Sequence, residues 1–223
     1  MTPFRVGVLV SGEGTNLQTI LDALHGGEGA IEVACVASNR PEARGLERAR
    51  TAGVPTGVFA ASGRADRPAR DRELADFLEG HRVDLVVLAG FMALLSPNFI
   101  ARFRDRVLNV HPSLLPAFPG VRAIEQALAY GVRVTGVTVH FVDEGVDTGP
   151  ILAQEPVELP YAPDIARVER EIHAVEHRLL PEAIRLIATG AVRIEDAEPG
   201  ARRRVRVDEG AMTPGSAGDL DRG

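Results

Sequence analysis

The chain has 223 residues, 45% hydrophobic and 25% charged, the balance of an ordinary globular protein long enough to bury a substantial core. Its formal charge of −6, with all 25 basic residues arginine, argues against a general nucleic-acid or membrane-surface binder but leaves room for a local basic pocket. Cys35 is the only cysteine, which excludes an intramolecular disulfide and a cysteine-based zinc cage. In chain order, FRVGVLVS from Phe4 reads as a buried strand, followed by a glycine loop and NLQTILDAL, whose apolar residues recur at helical spacing. IEVACVAS reads as a second buried strand, in which Cys35 is a small hydrophobe. PEARGLERARTAG reads as a helix opened by Pro41 and closed near Gly53. A short strand at PTGVFA and a charged helix from Asp66 to Gly80 follow. VDLVVLAG and DRVLNVHP are two further apolar strands.

Strands apolar on both faces and alternating with helices predict a Rossmann-like α/β fold: an open, mostly parallel sheet covered by helices on both faces. The second part changes character. VRVTGVTVHFVDEG alternates as an antiparallel strand does, and GPILAQEPVEL can pair with it, giving an antiparallel extension on the C-terminal side. One long C-terminal helix is expected from Asp164 to Thr189, opened by Pro163, stopped by Gly190 and kinked or broken at Pro181. From about Pro199 the composition turns to Gly, Arg, Ala and Ser. A single domain over 1–198 is therefore expected, with 199–223 as a flexible tail. No signal-peptide layout opens the chain, and the longest apolar run, LVVLAGFMALL, is too short to span a bilayer. A cytoplasmic protein with no membrane partner is the expectation.

Four stretches could carry chemistry. SGEGTN, Ser11 to Asn16, lies between the first strand and the first helix, where backbone N–H groups favour a phosphate; a plain tight turn fits the same residues. A dinucleotide fingerprint does not, since Leu17 occupies the third glycine position and the second strand ends in Ser38 and Asn39 instead of an acid. HAVEH, His173 to His177, has the H-x-x-E-H spacing of a zinc helix. A catalytic zinc needs a third protein ligand, and no histidine follows Gly190, so the pair is better explained by chance and no metal is expected.

The third stretch is NVHPSLLPAFPG. Pro112, Pro116 and Pro119 fix φ and remove backbone donors, and Pro112 pushes His111 toward an extended conformation. Asn109 and His111 then project to one side. In the fourth, TVHFVDEGVDTGPI, a strand bearing Thr138 and His140 runs into a loop holding Asp143, Glu144 and Asp147. Taken singly, each acid reads as a solvated loop residue and His140 as a core histidine. Together, an amide donor, a potentially cationic donor and a carboxylate can stabilise an oxyanion and move a proton.

VLVSGEGTNLQ, SNRPEARGLERAR, VVLAGFMALLSP, NVHPSLLPAFPG and TVHFVDEGVDTGPIL, in that order, resemble the phosphoribosylglycinamide formyltransferases, the folate-dependent transformylases of de novo purine synthesis. The resemblance covers about residues 4 to 195. Its motifs are specific to a superfamily that also holds methionyl-tRNA formyltransferases, formyltetrahydrofolate deformylases and sugar N-formyltransferases; from the length of the chain the extra domains of the first two are not expected. The resemblance implies 10-formyltetrahydrofolate as co-substrate, glycinamide ribonucleotide as acceptor, no nucleic-acid partner and a monomer or homodimer. It implies an N-terminal phosphate-binding half to about 105 and a folate-binding, catalytic half over 106–198. By position it implies catalytic roles for Asn109, His111 and Asp147, with Thr138 and His140 supporting. Gly14, Thr15 and Asn16 would hold the phosphate, and Glu176 the ribose hydroxyls. Arg67, Met92, Ala93, Leu94, Leu95, Asn109 and the loop Val142, Asp143, Glu144, Gly145 and Val146 would line the folate site. Ala93 departs from a frequent arginine, and Glu13 beside a phosphate loop is tolerable only if it points outward. A sugar-nucleotide N-formyltransferase and a degenerate binding module are the competing readings.

Overall fold

In the computed structural model, residues 2–26, 30–162, 164–197 and 201–208 are described. A seven-stranded sheet forms the centre, built from β1 (Phe4–Val10), β2 (Ile31–Ser38), β3 (Thr56–Val58), β4 (Leu85–Leu88), β5 (Val107–His111), β6 (Val134–Phe141) and β7 (Ile151–Glu158). Its order is β3-β2-β1-β4-β5-β6-β7. The first five strands pair in parallel, and β6 and β7 are antiparallel additions. This is the expected doubly wound sheet with an antiparallel extension. Val6, Val8 and Val87 pack into one apolar cluster and Leu9, Val86 and Leu88 into another, so the central strands are covered on both faces.

The helices are α1 (Thr15–Leu24), α2 (Arg44–Thr51), α3 (Arg67–Gly80), α4 (Pro97–Arg102), α5 (Ala123–Tyr130) and α6 (Ile165–Ala188). Strand order reverses between β1 and β4, where an open α/β sheet leaves a crevice at the carboxyl ends of its strands. Ser11 joins the two strands at that crevice. Its N–H donates to Gly90 O at 3.1 Å, and its hydroxyl accepts from the Met92 N–H at 2.7 Å.

Several expectations need correction. Helix α2 starts at Arg44, not Pro41, because residues 41–43 form the turn that brings Gly45 N–H onto Gly12 O at 3.0 Å. Helix α6 is not broken at Pro181. Pro181 removes the donor that would reach the His177 carbonyl, but the buried stripe of Ile172, Leu179, Leu180, Ala183 and Ile184 continues across it and keeps both sides packed. Pro163 lies outside the described residues. Order also does not end at 198: β8 (Val192–Glu195) pairs antiparallel with β9 (Arg204–Val207). Alternation of Val with Arg in RVRV gives β9 one half-buried face, a pattern too short to register in a composition reading. Residues 198–200 and 209–223 of the expected tail lie outside the described residues.

Candidate active site

Pairing of β5 with β6 places Asn109 opposite His140 and His111 opposite Thr138. Asn109 Nδ2 lies 3.1 Å from His140 Nε2. The other nitrogen of that ring, Nδ1, faces Phe141 O at 2.9 Å. A carbonyl only accepts, so Nδ1 carries the hydrogen and Nε2 of the neutral ring accepts from Asn109. An amide nitrogen has two N–H donors, and Asn109 has one left.

His111 is buried and donates from Nε2 to Phe118 O at 2.9 Å. Its Nδ1 faces Asp147 Oδ2 at 3.5 Å, and Asp147 Oδ1 faces His140 Nε2 at 3.6 Å. His111 Nε2 is thus hydrogen-bonded within the protein and Nδ1 is turned toward the Asp147 carboxylate, an arrangement its sequence position does not reveal. Asp147 Oδ2 also accepts from the Gly120 N–H at 2.7 Å, at the far end of the proline loop. Burial opposes ionisation of Asp147, but the Gly120 N–H and the positive charge the two histidine rings carry when protonated outweigh it and hold the carboxyl below its ordinary value. Gly120 is the tighter of these contacts, because 3.6 Å to His140 is beyond a good hydrogen bond. The two loops therefore meet, and Asp147 is where they do.

Thr138 stands behind this cluster. Its hydroxyl donates to Ser113 O at 2.6 Å and accepts from Leu115 N–H at 3.1 Å and Gln154 Nε2 at 2.9 Å. Gln154 Nε2 also reaches Leu115 O at 2.9 Å. Thr138 and Gln154 hold the proline loop, whose Leu115–Pro116 bond is cis. Sequence reasoning passed over Gln154, a polar residue within an exposed-looking strand with no motif around it.

The phosphate-like loop is equally specific. Gly14 caps α1 at φ +70, and a Cβ there would lie 2.6 Å from the Gly45 Cα, so only glycine fits both the backbone angle and the contact. Asn16 Nδ2 donates to Glu176 Oε2 at 2.9 Å, which ties the first turn of α1 to α6. His173 Nδ1 reaches the same oxygen at 2.9 Å. That hydrogen bond raises His173 above its ordinary pKa, while burial pushes His177 down. The buried Asn16 Oδ1 has no partner among the described residues, an uncompensated acceptor that a donor entering the cleft would satisfy. Glu13 does point outward, 63% exposed and paired with Arg44 at 2.9 Å. Burial pushes the Cys35 thiol up to about 12, consistent with an inert core residue. No cluster of three or more His, Cys, Asp or Glu side chains suited to a metal ion occurs among the described residues.

Known proteins resemble this chain in sequence and fold. Residues 4–184 match the family described as formyl transferase. Phosphoribosylglycinamide formyltransferase of Haemophilus influenzae is 41% identical over 86% of this chain and 91% of its own length. Its namesake in Mycobacterium tuberculosis is 44% identical over 92% and 94%. The crystal structure of glycinamide ribonucleotide transformylase 1 from Symbiobacterium toebii superposes with a TM-score of 0.85 at 48% identity, covering 92% of this chain and 94% of that one. The chain belongs to the formyl transferase family.

In this formyltransferase the β4–α4 connection leaves Met92 and Leu94 65% and 59% exposed, and Val146 on the Asp147 loop is 52% exposed. Such uncovered apolar groups beside a crevice suit a ligand with an apolar face. Arg67 opens α3 and is half-buried. It is Arg70, one turn later, that holds the connection, donating to Leu94 O at 2.8 Å. Its partner Asp71 receives Arg70 Nε at 2.7 Å and the Ser96 N–H at 2.6 Å. Both charges are buried. Sequence reasoning missed this pair, since arginine and aspartate side by side on a charged helix read as solvent-facing. Asp143 turns onto its own loop, accepting from Gly145 N–H and Thr148 Oγ1, while Glu144 is exposed.

Proposed function

We propose that the chain transfers the formyl group of 10-formyltetrahydrofolate to the amine of N1-(5-phosphoribosyl)glycinamide in de novo purine synthesis, giving formylglycinamide ribonucleotide and tetrahydrofolate. The observation that carries the reading is the meeting of Asp147 with His111, His140 and Gly120 N–H beside Asn109. Relatives named for this activity support it at 41% and 44% identity.

The acceptor phosphate takes the backbone N–H groups of Gly14, Thr15 and Asn16, where the helix dipole favours an anion. Glu176, anchored through one oxygen by Asn16 and His173, accepts from the ribose hydroxyls with the other. Met92, Ala93, Leu94, Leu95 and Val142 to Val146 flank the folate, with Arg67 at its outer end. As the amine adds to the formyl carbon, the free Asn109 N–H stabilises the oxygen that becomes charged. His111, cationic once Nδ1 gains a proton, adds positive charge beside Asp147 at 3.5 Å. The Asp147 carboxylate accepts the amine's proton, directly or through a water, and returns it to the departing folate nitrogen.

The test is an absorbance assay of tetrahydrofolate release with glycinamide ribonucleotide as acceptor. Turnover is expected. Transfer to an amino-sugar nucleotide with none to glycinamide ribonucleotide would replace this reading with the sugar-nucleotide one.

A further inference from the structure

Three consecutive arginines, 202–204, stand outside the proposed chemistry. Arg203 grips Asp105 with both terminal nitrogens, Nη1 to Oδ1 at 2.7 Å and Nη2 to Oδ2 at 2.8 Å. Such a fork fixes orientation as well as distance. Asp105 is no ordinary surface acid: it has φ +60 and stands two residues before β5, the strand that carries Asn109 and His111. The hydrogen bonds from Arg203 hold its carboxyl below the usual range.

The same segment touches the other half of the cluster. Residues 202–205 and Gly149, Pro150 and Ile151 line a shared cavity of about 300 Å³. Asp143, at the other leg of the same loop, lies in the field of the Arg203 guanidinium. Both legs of the loop 142–150 thus face the start of β9.

That loop needs support. Asp147 has φ +53, an uphill conformation for a residue with a Cβ, which persists only where its surroundings over-determine it. Above, Gly120 N–H holds its side chain at 2.7 Å. At the base, Phe141 N–H donates to Pro150 O at 2.9 Å and Val142 N–H to Val107 O at 2.8 Å. Gly149 packs so closely that a Cβ would lie 1.9 Å from Phe141 O. The base is therefore a tight crossing of β5, β6 and β7, and Arg203 holds Asp105, two residues before β5 enters it.

We propose that the segment 201–208 is a brace in which Arg203, through Asp105, positions the loop bearing Asp147. This rests on the functional reading above, which gives that loop its folate and proton-transfer roles. Arg203 touches no reacting atom; it is a positioning residue.

The test is Arg203→Gln, followed by amide hydrogen exchange over 142–149 and by steady-state kinetics. Exchange in 142–149 is expected to quicken, with that of 11–16 unchanged. Turnover should fall on the order of tenfold, as small displacements of reacting groups do, and KM for the formyl donor should rise while KM for glycinamide ribonucleotide holds. Arg203→Lys, which keeps the charge but loses the fork, should fall between. Exchanging the partners, Arg203→Asp with Asp105→Arg, should restore turnover. If Arg203→Gln does not fold, Arg203→Lys carries the same measurements. Unchanged exchange and unchanged turnover in a folded variant overturn the brace. Should the wild type fail to formylate glycinamide ribonucleotide, the functional reading falls, and the exchange comparison still decides whether Arg203 holds the loop.

Discussion

At the scale of single residues, Asp147 is the group on which the proposed chemistry turns. Asp147→Asn keeps shape but cannot accept a proton, and turnover is expected to fall on the order of 10²–10⁴-fold. Tetrahydrofolate binding, followed by fluorescence, should persist. Because the folded carboxyl lies below its ordinary value, its stabilising contribution is complete above about 3.9 and disappears only as pH falls through the lower, folded value. A carboxyl NMR titration with a midpoint at or above the ordinary aspartate value would contradict the geometry at Gly120. His173 behaves oppositely. Its hydrogen bond to Glu176 raises it, so the stability it adds is full below about 6.5 and declines as pH rises through the folded value. Glu176→Gln should return the His173 imidazole titration toward 6.5, and no change in that titration would mean the contact is absent in solution.

At the scale of elements, two contacts fix the loops between which the substrates would lie. Gly14 at φ +70 packs on Gly45, and Gly14→Ala is expected to cost about 1–3 kcal/mol in urea unfolding and to raise KM for the phosphorylated acceptor. The buried Arg70–Asp71 pair holds the β4–α4 connection at Leu94 and Ser96. Asp71→Ala leaves a buried guanidinium uncompensated and should cost about 3–5 kcal/mol. An unchanged urea midpoint would show that the pair is solvated. Most elements were legible as periodicity, because buried parallel strands and amphipathic helices write it plainly. Helix α4 was not read, although Ser96 caps it and Pro97 opens it; its six residues are too few to show a repeat. Helix α5 was missed for a similar reason: at eight residues it follows a proline-rich loop and is entered through Arg122 at φ +58.

At the scale of the whole molecule, the order β3-β2-β1-β4-β5-β6-β7 brings together parts far apart in the chain. The reversal between β1 and β4 opens the crevice, and the antiparallel β6 sets His140 beside Asn109. Helix α6 crosses back so that Glu176 meets Asn16, 160 residues earlier. Deleting 201–223 removes β9, the Arg203–Asp105 fork and Val205, which packs against the main cluster, but leaves the fully buried residues of β1–β7 and their helices in place. A single cooperative thermal transition is therefore expected, with its midpoint lowered by several degrees. Loss of cooperativity would show that the C-terminal hairpin belongs to the main core.

The sequence by itself determined the strand-helix alternation, the mostly parallel sheet and the identity of Asn109, His111, Asp147, Asn16 and Glu176 as candidates, because those features are local in the chain or carried by motifs. Tertiary structure decided what no spacing contains. Asp147 reaches His111 and Gly120 only because a loop folds back across the sheet. Arg70 and Asp71 become a buried pair only because α3 packs on the β4–α4 connection. Arg203 finds Asp105 across 98 residues. A charge's worth depends on burial and partners, and both are set by the fold rather than by neighbours in sequence.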